Sequence, residues 1–406
     1  MKSVSTRGFA TALVWISGTA MSALVIGAAA LTGAPTTAPT LEAPAPAMAA
    51  AADGRARLNP TLIYNGNAAC MGSGCHDADK PKNHSGQMIG DECNIWKDSD
   101  PHAKAFKSLS NKKSKDIAGK MKIDDAATDA RCISCHGMPA AKLGDSFGKG
   151  PGANGVGCES CHGPSEKWLD AHKEEGWTDK QRAAMSAKDI ETKFGLIDTR
   201  NLAVRGEMCV TCHLQIDQDM LDAGHPALGF EMYFYNNYKF NPDWKTHWDE
   251  QPGDTHKAKE WAIGQIVSAA AADAQVVAWK AKGWKTDVAD QLSKVFGEGK
   301  AIASTLGPAD AAGFYAEYKG KDIDKAKVAA AAKALASKGA GYKDGKDNAH
   351  VRSVISSGVE ALVSSTLSGG KMTKDVEDKA ITAGDAADAG GDSWVKAVTD
   401  LAAAAK

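Results

Sequence analysis

The sequence predicts a mainly α fold in two unequal parts, and three observations predict it. All nine cysteines and ten of the eleven histidines fall within residues 61–256, among many Gly, Pro and Asn. From about residue 257 the composition turns to Ala, Lys, Asp and Val without a cysteine, and apolar residues recur at helical spacing. Neither part alternates polar and apolar residues strongly enough for a sheet, with the crowded aromatics of Phe230–Phe240 the one exception. The expectation is short helices and loops in the first part, wrapped around whatever the cysteines hold, and an Ala-rich helical bundle in the second.

Residues 1–49 read as an export leader. Lys2 and Arg7 precede an apolar run from Phe9 to about Ala34, and Ala47-Met48-Ala49 offers a small-x-small cleavage site. The run is long for a signal peptide, so an uncleaved membrane anchor is the alternative. Residues 50–60 form a polar linker, 61–256 the cysteine-rich domain and 257–406 a C-terminal helical domain. Helices are expected around Trp96–Leu109 and Lys180–Lys193. Further on, Val288, Leu292, Val295 and Phe296 share one helical face, as do Val351, Val354, Ile355, Val359, Leu362 and Val363. Breakers at Gly307-Pro308, Gly339–Gly341, Gly369-Gly370 and Gly390-Gly391 divide this part into four or five helices.

The net charge is −2, and no basic stripe interleaved with aromatics appears, which argues against nucleic acid as a partner. Cleavage after Ala49 leaves 46 bases against 49 acids. Nine cysteines in an exported chain ordinarily mean disulfides. The spacing says otherwise: eight form four pairs, and a histidine follows each pair directly.

Three pairs have the form Cys-x-x-Cys-His, at Cys132–His136, Cys158–His162 and Cys209–His213. This spacing lets two thiols reach the two vinyl groups of one haem while the adjacent imidazole sits under the iron. Zinc sites and redox-active thiol pairs do not demand a histidine at that place each time. The first pair, Cys70-Met-Gly-Ser-Gly-Cys75-His76, is longer, and its two glycines relax the loop enough for both sulfurs to meet one porphyrin. A disulfide or a stray pair is the rival reading there. Four covalent haems c are expected, on Cys70 and Cys75, Cys132 and Cys135, Cys158 and Cys161, and Cys209 and Cys212, with His76, His136, His162 and His213 as proximal ligands.

A low-spin electron carrier needs a second axial ligand on each iron, and seven histidines remain. His102, His172 and His225 lie in the haem-dense sequence and lead the distal candidates. His247 and His256 follow; His84 sits in a Lys/Asn/Gly loop and His350 far from any cysteine. Cys93 reads as a buried, inert thiol. No separate acid–base constellation suggests a catalytic residue.

The blocks Trp96–Ala105, Cys132–His136, Gly155–Pro164 running on to His172, and Cys209–Leu214 together resemble the tetrahaem cytochrome c-554 family. The resemblance implies short helices around stacked haem pairs and electron transfer as the activity. It implies distal ligands at positions matching His102 and His172, and one after the fourth motif, where His225 is the choice and His247 or His256 the substitutes. It also implies that the haem on Cys132, Cys135 and His136 is five-coordinate and open to small molecules. The stretched first motif, an insertion around 77–92 and everything after 257 depart from the family pattern.

The resulting expectation is a periplasmic electron carrier or relay between redox partner proteins, either other cytochromes or oxidoreductases. Its acidity and haem propionates would guide it to a basic partner surface. Two other readings stand beside it. One is a reductase of nitric oxide or a related nitrogen species at an open haem. The other is an oligomeric structural subunit assembled through the C-terminal helices. Membrane contact enters only with an uncleaved leader.

Overall fold

The computed structural model describes residues 59, 61–71, 75–76, 82–84, 87–90, 92–138, 142–148, 154–239, 253–345 and 348–406. The leader, most of the linker and His247 lie outside the described residues. The described chain is mainly helical.

The cysteine-rich part is built from short pieces. A small hairpin pairs β1 (Lys82–His84) antiparallel with β2 (Gln87–Ile89), Lys82 opposite Ile89. Three residues per strand are too few for alternation to show in sequence, so it was not expected. Then come α1 (Glu92–Ser99), a 3-10 turn at Pro101–Lys104, α2 (Ala105–Ser108), α3 (Lys112–Lys120), α4 (Ala130–His136) and α5 (Cys158–His162). A 3-10 turn at Ala171–Lys173 and a π-type turn at Trp177–Arg182 lead to α6 (Ala187–Phe194). Short polar side chains start these helices by accepting orphan backbone N–H groups: Asn111 from Ser114, Asp129 from Arg131, Ser186 from Asp189.

The helix expected over Trp96–Leu109 is broken in the middle. Pro101 lacks an N–H and forces Asp100 into an extended conformation (φ −80°, ψ 123°), from which Asp100 caps the next turn. The helix expected over Lys180–Lys193 begins instead at Ala187, where Ser186 supplies the cap.

Next follow α7 (Leu202–His213), α8 (Gln218–Ala223) and α9 (Met232–Phe234), the last running into a π-type turn at Tyr235–Lys239. The aromatic stretch is therefore helical rather than a strand. Glu231 decides this, because its carboxylate accepts from the backbone N–H groups of Tyr233 (3.1 Å) and Phe234 (2.7 Å) and starts a turn.

The C-terminal part consists of α10 (His256–Ala281), α11 (Asp287–Ala303), α12 (Ala311–Tyr318), α13 (Lys325–Lys338), α14 (Ala349–Thr366), α15 (Lys374–Ala389) and α16 (Gly391–Ala402). Among the described residues that is seven helices where four or five were expected. The extra breaks fall at Gly283 (φ 69°) and Gly320 (φ 70°), single glycines that take the left-handed conformation other residues avoid.

Helix α10 is the centre of the molecule's largest core. By length and composition it could cross a bilayer, yet α7, α9, α11, α12 and α14 pack around it. Leu202, Val210, Leu214, Phe230 and Tyr233 share this core with Trp261, Phe296, Leu335, Val359, Leu362 and Trp394. Trp261 and Trp394 are fully buried, and truncating either costs on the order of 3–5 kcal/mol. Helix α7 thus has one side in the bundle core, and that leaves the other side for its Cys-x-x-Cys-His motif.

A polar network is buried between α7, α9, α10 and α14. Glu260 accepts from Asn236 (2.8 Å) and Asn237 (2.9 Å), with His256 Nε2 at 3.6 Å and Arg205 Nη1 at 3.9 Å. Tyr233 donates to Glu360 at 3.2 Å. Burial drives the Glu260 carboxyl up, but His256, Arg205 and Asn236 outweigh it and hold the group below its ordinary range. Burial, with the Glu260 and Glu360 carboxylates adding to it, pushes the pKa of Glu231 up to about 8.

Candidate haem-binding site

In α4, α5 and α7 the motif lies on a helix, so the cysteines at i and i+3 and the histidine at i+4 share one face. Each helix is held in place by contacts that differ from one motif to the next. The Cys158 N–H donates to Asn67 Oδ1 (2.9 Å) at the start of α5. Glu159, between the two cysteines, is 1% exposed and accepts from the backbone N–H groups of Asn65 (3.0 Å), Gly66 (2.5 Å) and Ser165 (2.7 Å). This buried carboxylate straps the chain around residues 65–66 to the third motif. Gly163 closes α5 at φ 75° against the Gly195 carbonyl, where a side chain has no room. In α7, Asn201 caps the N–H groups of Ala203 and Val204.

These helices surround one cavity of about 1260 Å³, larger than the roughly 300–1,000 Å³ of an ordinary single-ligand pocket. All eight motif cysteines line it, together with His76, His136, His162, His213, His102, His172 and His225. Neighbouring motifs touch through their thiols. Cys70 and Cys158 are hydrogen-bonded, as are Cys135 and Cys212, so the first motif lies beside the third and the second beside the fourth. Contact with the neighbouring sulfur and burial keep the Cys158 and Cys212 thiols well above their ordinary pKa. Cys93 is buried at 2% exposure and also contacts Cys158.

The imidazoles meet in pairs across this cavity. His76 and His172 have ring centroids 6.2 Å apart and planes inclined by 14°. His102 and His213 lie 5.9 Å apart at 76°, and His136 and His225 6.4 Å apart at 77°. Two imidazoles bound on opposite sides of one metal ion through metal–nitrogen bonds of about 2 Å hold their centroids roughly 6 Å apart. Three distal candidates therefore stand opposite three proximal histidines at a spacing that fits an intervening iron.

In five of these six rings Nδ1 meets an acceptor. His136 Nδ1 lies 3.1 Å from both the Ala105 carbonyl and Ser108 Oγ; His172 Nδ1 is 3.0 Å from the Trp168 carbonyl; His225 Nδ1 is 2.9 Å from the Pro226 carbonyl. A carbonyl can only accept, so Nδ1 carries the proton and Nε2 keeps its lone pair for a metal. Glu92 Oε2 (2.9 Å) serves His76 in the same way, and Asp100 Oδ1 (3.0 Å) serves His102. His162 Nδ1 faces Thr199 Oγ1 at 3.5 Å. Burial lowers the pKa of His172 and His225, which favours the neutral ring that a metal requires.

The family resemblance leaves the haem on Cys132, Cys135 and His136 open; the loop after α8 places the His225 ring 6.4 Å from that of His136. The remaining histidines fall elsewhere. His84 is on β1, and His247 lies outside the described residues. His256 opens α10 and faces Glu260, while His350 lies near the start of α14; neither lines the cavity. Sequence reasoning missed the residues that hold the ligands. Asp100 had a signal, since it stands two positions before His102 in Asp-Pro-His. Glu92, Asn67 and Ser108 had none, because only the fold brings them to their partners.

Residues 69–163 match the family model described as cytochrome c554 and c-prime. Over 172 residues the chain is 31% identical to cytochrome c-554 of Nitrosomonas europaea, an alignment covering 38% of this chain. The chain spans 59% of that relative's length. No solved structure matches the chain significantly. The donor set and the facing imidazoles agree with these matches: the matched segment of the chain is similar to the cytochrome c-554 family.

Proposed function

We propose that this protein is a periplasmic electron carrier that holds four haems c and passes electrons between redox partner proteins. The observation that carries the reading is the set of three imidazole pairs facing each other across one cavity at 5.9–6.4 Å. In this assignment Cys70, Cys75, His76 and His172 hold the first haem, and Cys132, Cys135, His136 and His225 the second. Cys158, Cys161 and His162 hold the third. Cys209, Cys212, His213 and His102 hold the fourth.

Haem iron, once bound, supplies reversible one-electron chemistry. The chain supplies the rest. Two neutral imidazoles per iron suit both oxidation states, so little has to rearrange on electron transfer. The acceptors at Nδ1 fix ring orientation and raise ligand basicity. Phe230 stacks on His213 at 5.5 Å and Tyr235 meets its edge at 4.8 Å, which keeps water from that ligand.

An intact mass of the mature protein, read beside its haem absorbance, tests this directly. The expected result is a leaderless chain with four haems that resist extraction by acidified acetone. A colourless chain, or pigment that leaves with the solvent, would remove the basis for the proposal.

A further inference from the structure

We propose that helix α3 and the turns on either side of it form a docking face for an acidic redox protein, placed over the haem assigned to His136 and His225. The inference rests on the electron-carrier reading and adds the partner's chemistry and place of entry.

The charge distribution comes first. Between residues 104 and 122 there are seven lysines, Lys104, Lys107, Lys112, Lys113, Lys115, Lys120 and Lys122, against the single acid Asp116, in a chain whose net charge is −2. All seven are exposed. Asp116 pairs with Lys112 at 2.7 Å, which leaves the positive excess of the others unanswered within the segment. Just beyond it lie exposed Asp124, Asp125, which accepts from Ala127 N in its own loop, and Asp129, which is occupied by Arg131; the seven lysines still outnumber the four acids of residues 104–129.

The position of the face over the cavity is the second observation. The inner side of the segment is apolar: Leu109, Ala118, Ile123 and Ala126 form a small core with Ile133 of α4, the helix that carries Cys132, Cys135 and His136. Lys113, Ser114, Ile117 and Met121 line the cavity. At its far end Lys120 Nζ donates to the Ala223 carbonyl (3.0 Å), two residues before His225. Helix α3 therefore spans from the proximal side of one haem site to its distal side. Only one helix diameter, about 10 Å, separates that site from the lysine face.

Exposed positions in the segment include no apolar or aromatic side chain, which removes the wedge a membrane surface would take and the stacking platform nucleic acid would use. What remains is steering by opposite charge. It raises encounter rates with an acidic protein by about 10–10³-fold at low salt without requiring tight binding. The acidity of the whole molecule would suggest a basic partner; at this haem the local sign is reversed.

The test uses the full haem-loaded protein and stopped-flow reduction by an acidic plant-type ferredoxin. Lys107→Glu/Lys115→Glu/Lys122→Glu is compared with Lys327→Glu/Lys333→Glu/Lys338→Glu, which makes the same charge change on α13, away from the cavity. At low salt the first variant is expected to lose about tenfold or more in second-order rate constant and the second less than about twofold, with convergence near 0.5 M NaCl. Glutamine at the same three positions should give an intermediate rate. Equal losses in both variants, or no loss in either, would overturn the docking face while normal reduction by dithionite leaves the carrier reading standing. Binding of the unmodified protein to phosphatidylglycerol vesicles, lost in the first variant, would overturn the protein partner. Absence of a haem spectrum would overturn both readings.

Discussion

His225 owes its orientation to the residue beside it. Its Nδ1–H donates to the Pro226 carbonyl, and the ring's other nitrogen is left facing His136. Replacing His225 with Ala removes that ligand without touching Cys132 or Cys135. The expected outcome is a protein that keeps its full haem content but gains one high-spin ferric signal in electron paramagnetic resonance; an unchanged spectrum would mean another residue binds that iron. The ring planes allow a finer check. His76 and His172 are nearly parallel, while the other two pairs are close to perpendicular. Parallel axial imidazoles give a rhombic low-spin signal and perpendicular ones a strongly anisotropic one. One haem of the first kind and two of the second are expected at low temperature. The Cys-x-x-Cys-His motifs are legible in the sequence because their members lie within a few positions of one another. The Glu92 and Asp100 contacts were harder to see, since a carboxylate that orients an imidazole leaves no periodic trace.

Individual helices depend on similarly local devices. Arg352 on α14 is 1% exposed and donates to the carbonyls of Tyr342 (3.2 Å), Gly345 (2.9 Å), Ala387 and Asp388 (3.0 Å). It thereby gathers the C-terminal end of α15 and the turn after α13, where the helix dipole favours a cation. Arg352→Met should cost about 2–4 kcal/mol in denaturant unfolding, because buried carbonyls lose a charged donor. Glu231, the cap of α9, sets a pH dependence. Its folded pKa of about 8 lies above the ordinary 4.5, so the fold favours the protonated form. The resulting stabilisation is fully present below about pH 4.5 and is lost as pH rises through about 8. The thermal midpoint should fall across that window, and Glu231→Gln, which can still accept from Tyr233 and Phe234, should flatten it. The long periodic helices over Val351–Val363 and Val288–Phe296 were visible in sequence, as were all four glycine breaks. The turns at Gly283 and Gly320 were not, because Gly297 and Gly299 sit inside α11 and a glycine alone does not show which role it takes.

At the scale of the molecule, the core joins what composition separates. Leu202, Val210 and Leu214 pack with Trp261 and the bundle, so the fourth motif stands on a helix whose back is covered by residues from beyond 256. A chain ending at residue 252 should therefore carry fewer haems than the full chain, measured as haem absorbance per mole of protein; a full complement would show that α7 holds without its cover. Composition hid this dependence, since an Ala-rich tail without cysteines looks separable, and the net charge likewise hid the lysines around α3. The two-sided character of α7 also bears on how the protein is made. Emerging from its N-terminus, the chain presents His76, His136, His162 and His213 in turn, and all seven bundle helices come out behind them. Every thiol pair is therefore synthesised before the helices that cover α7.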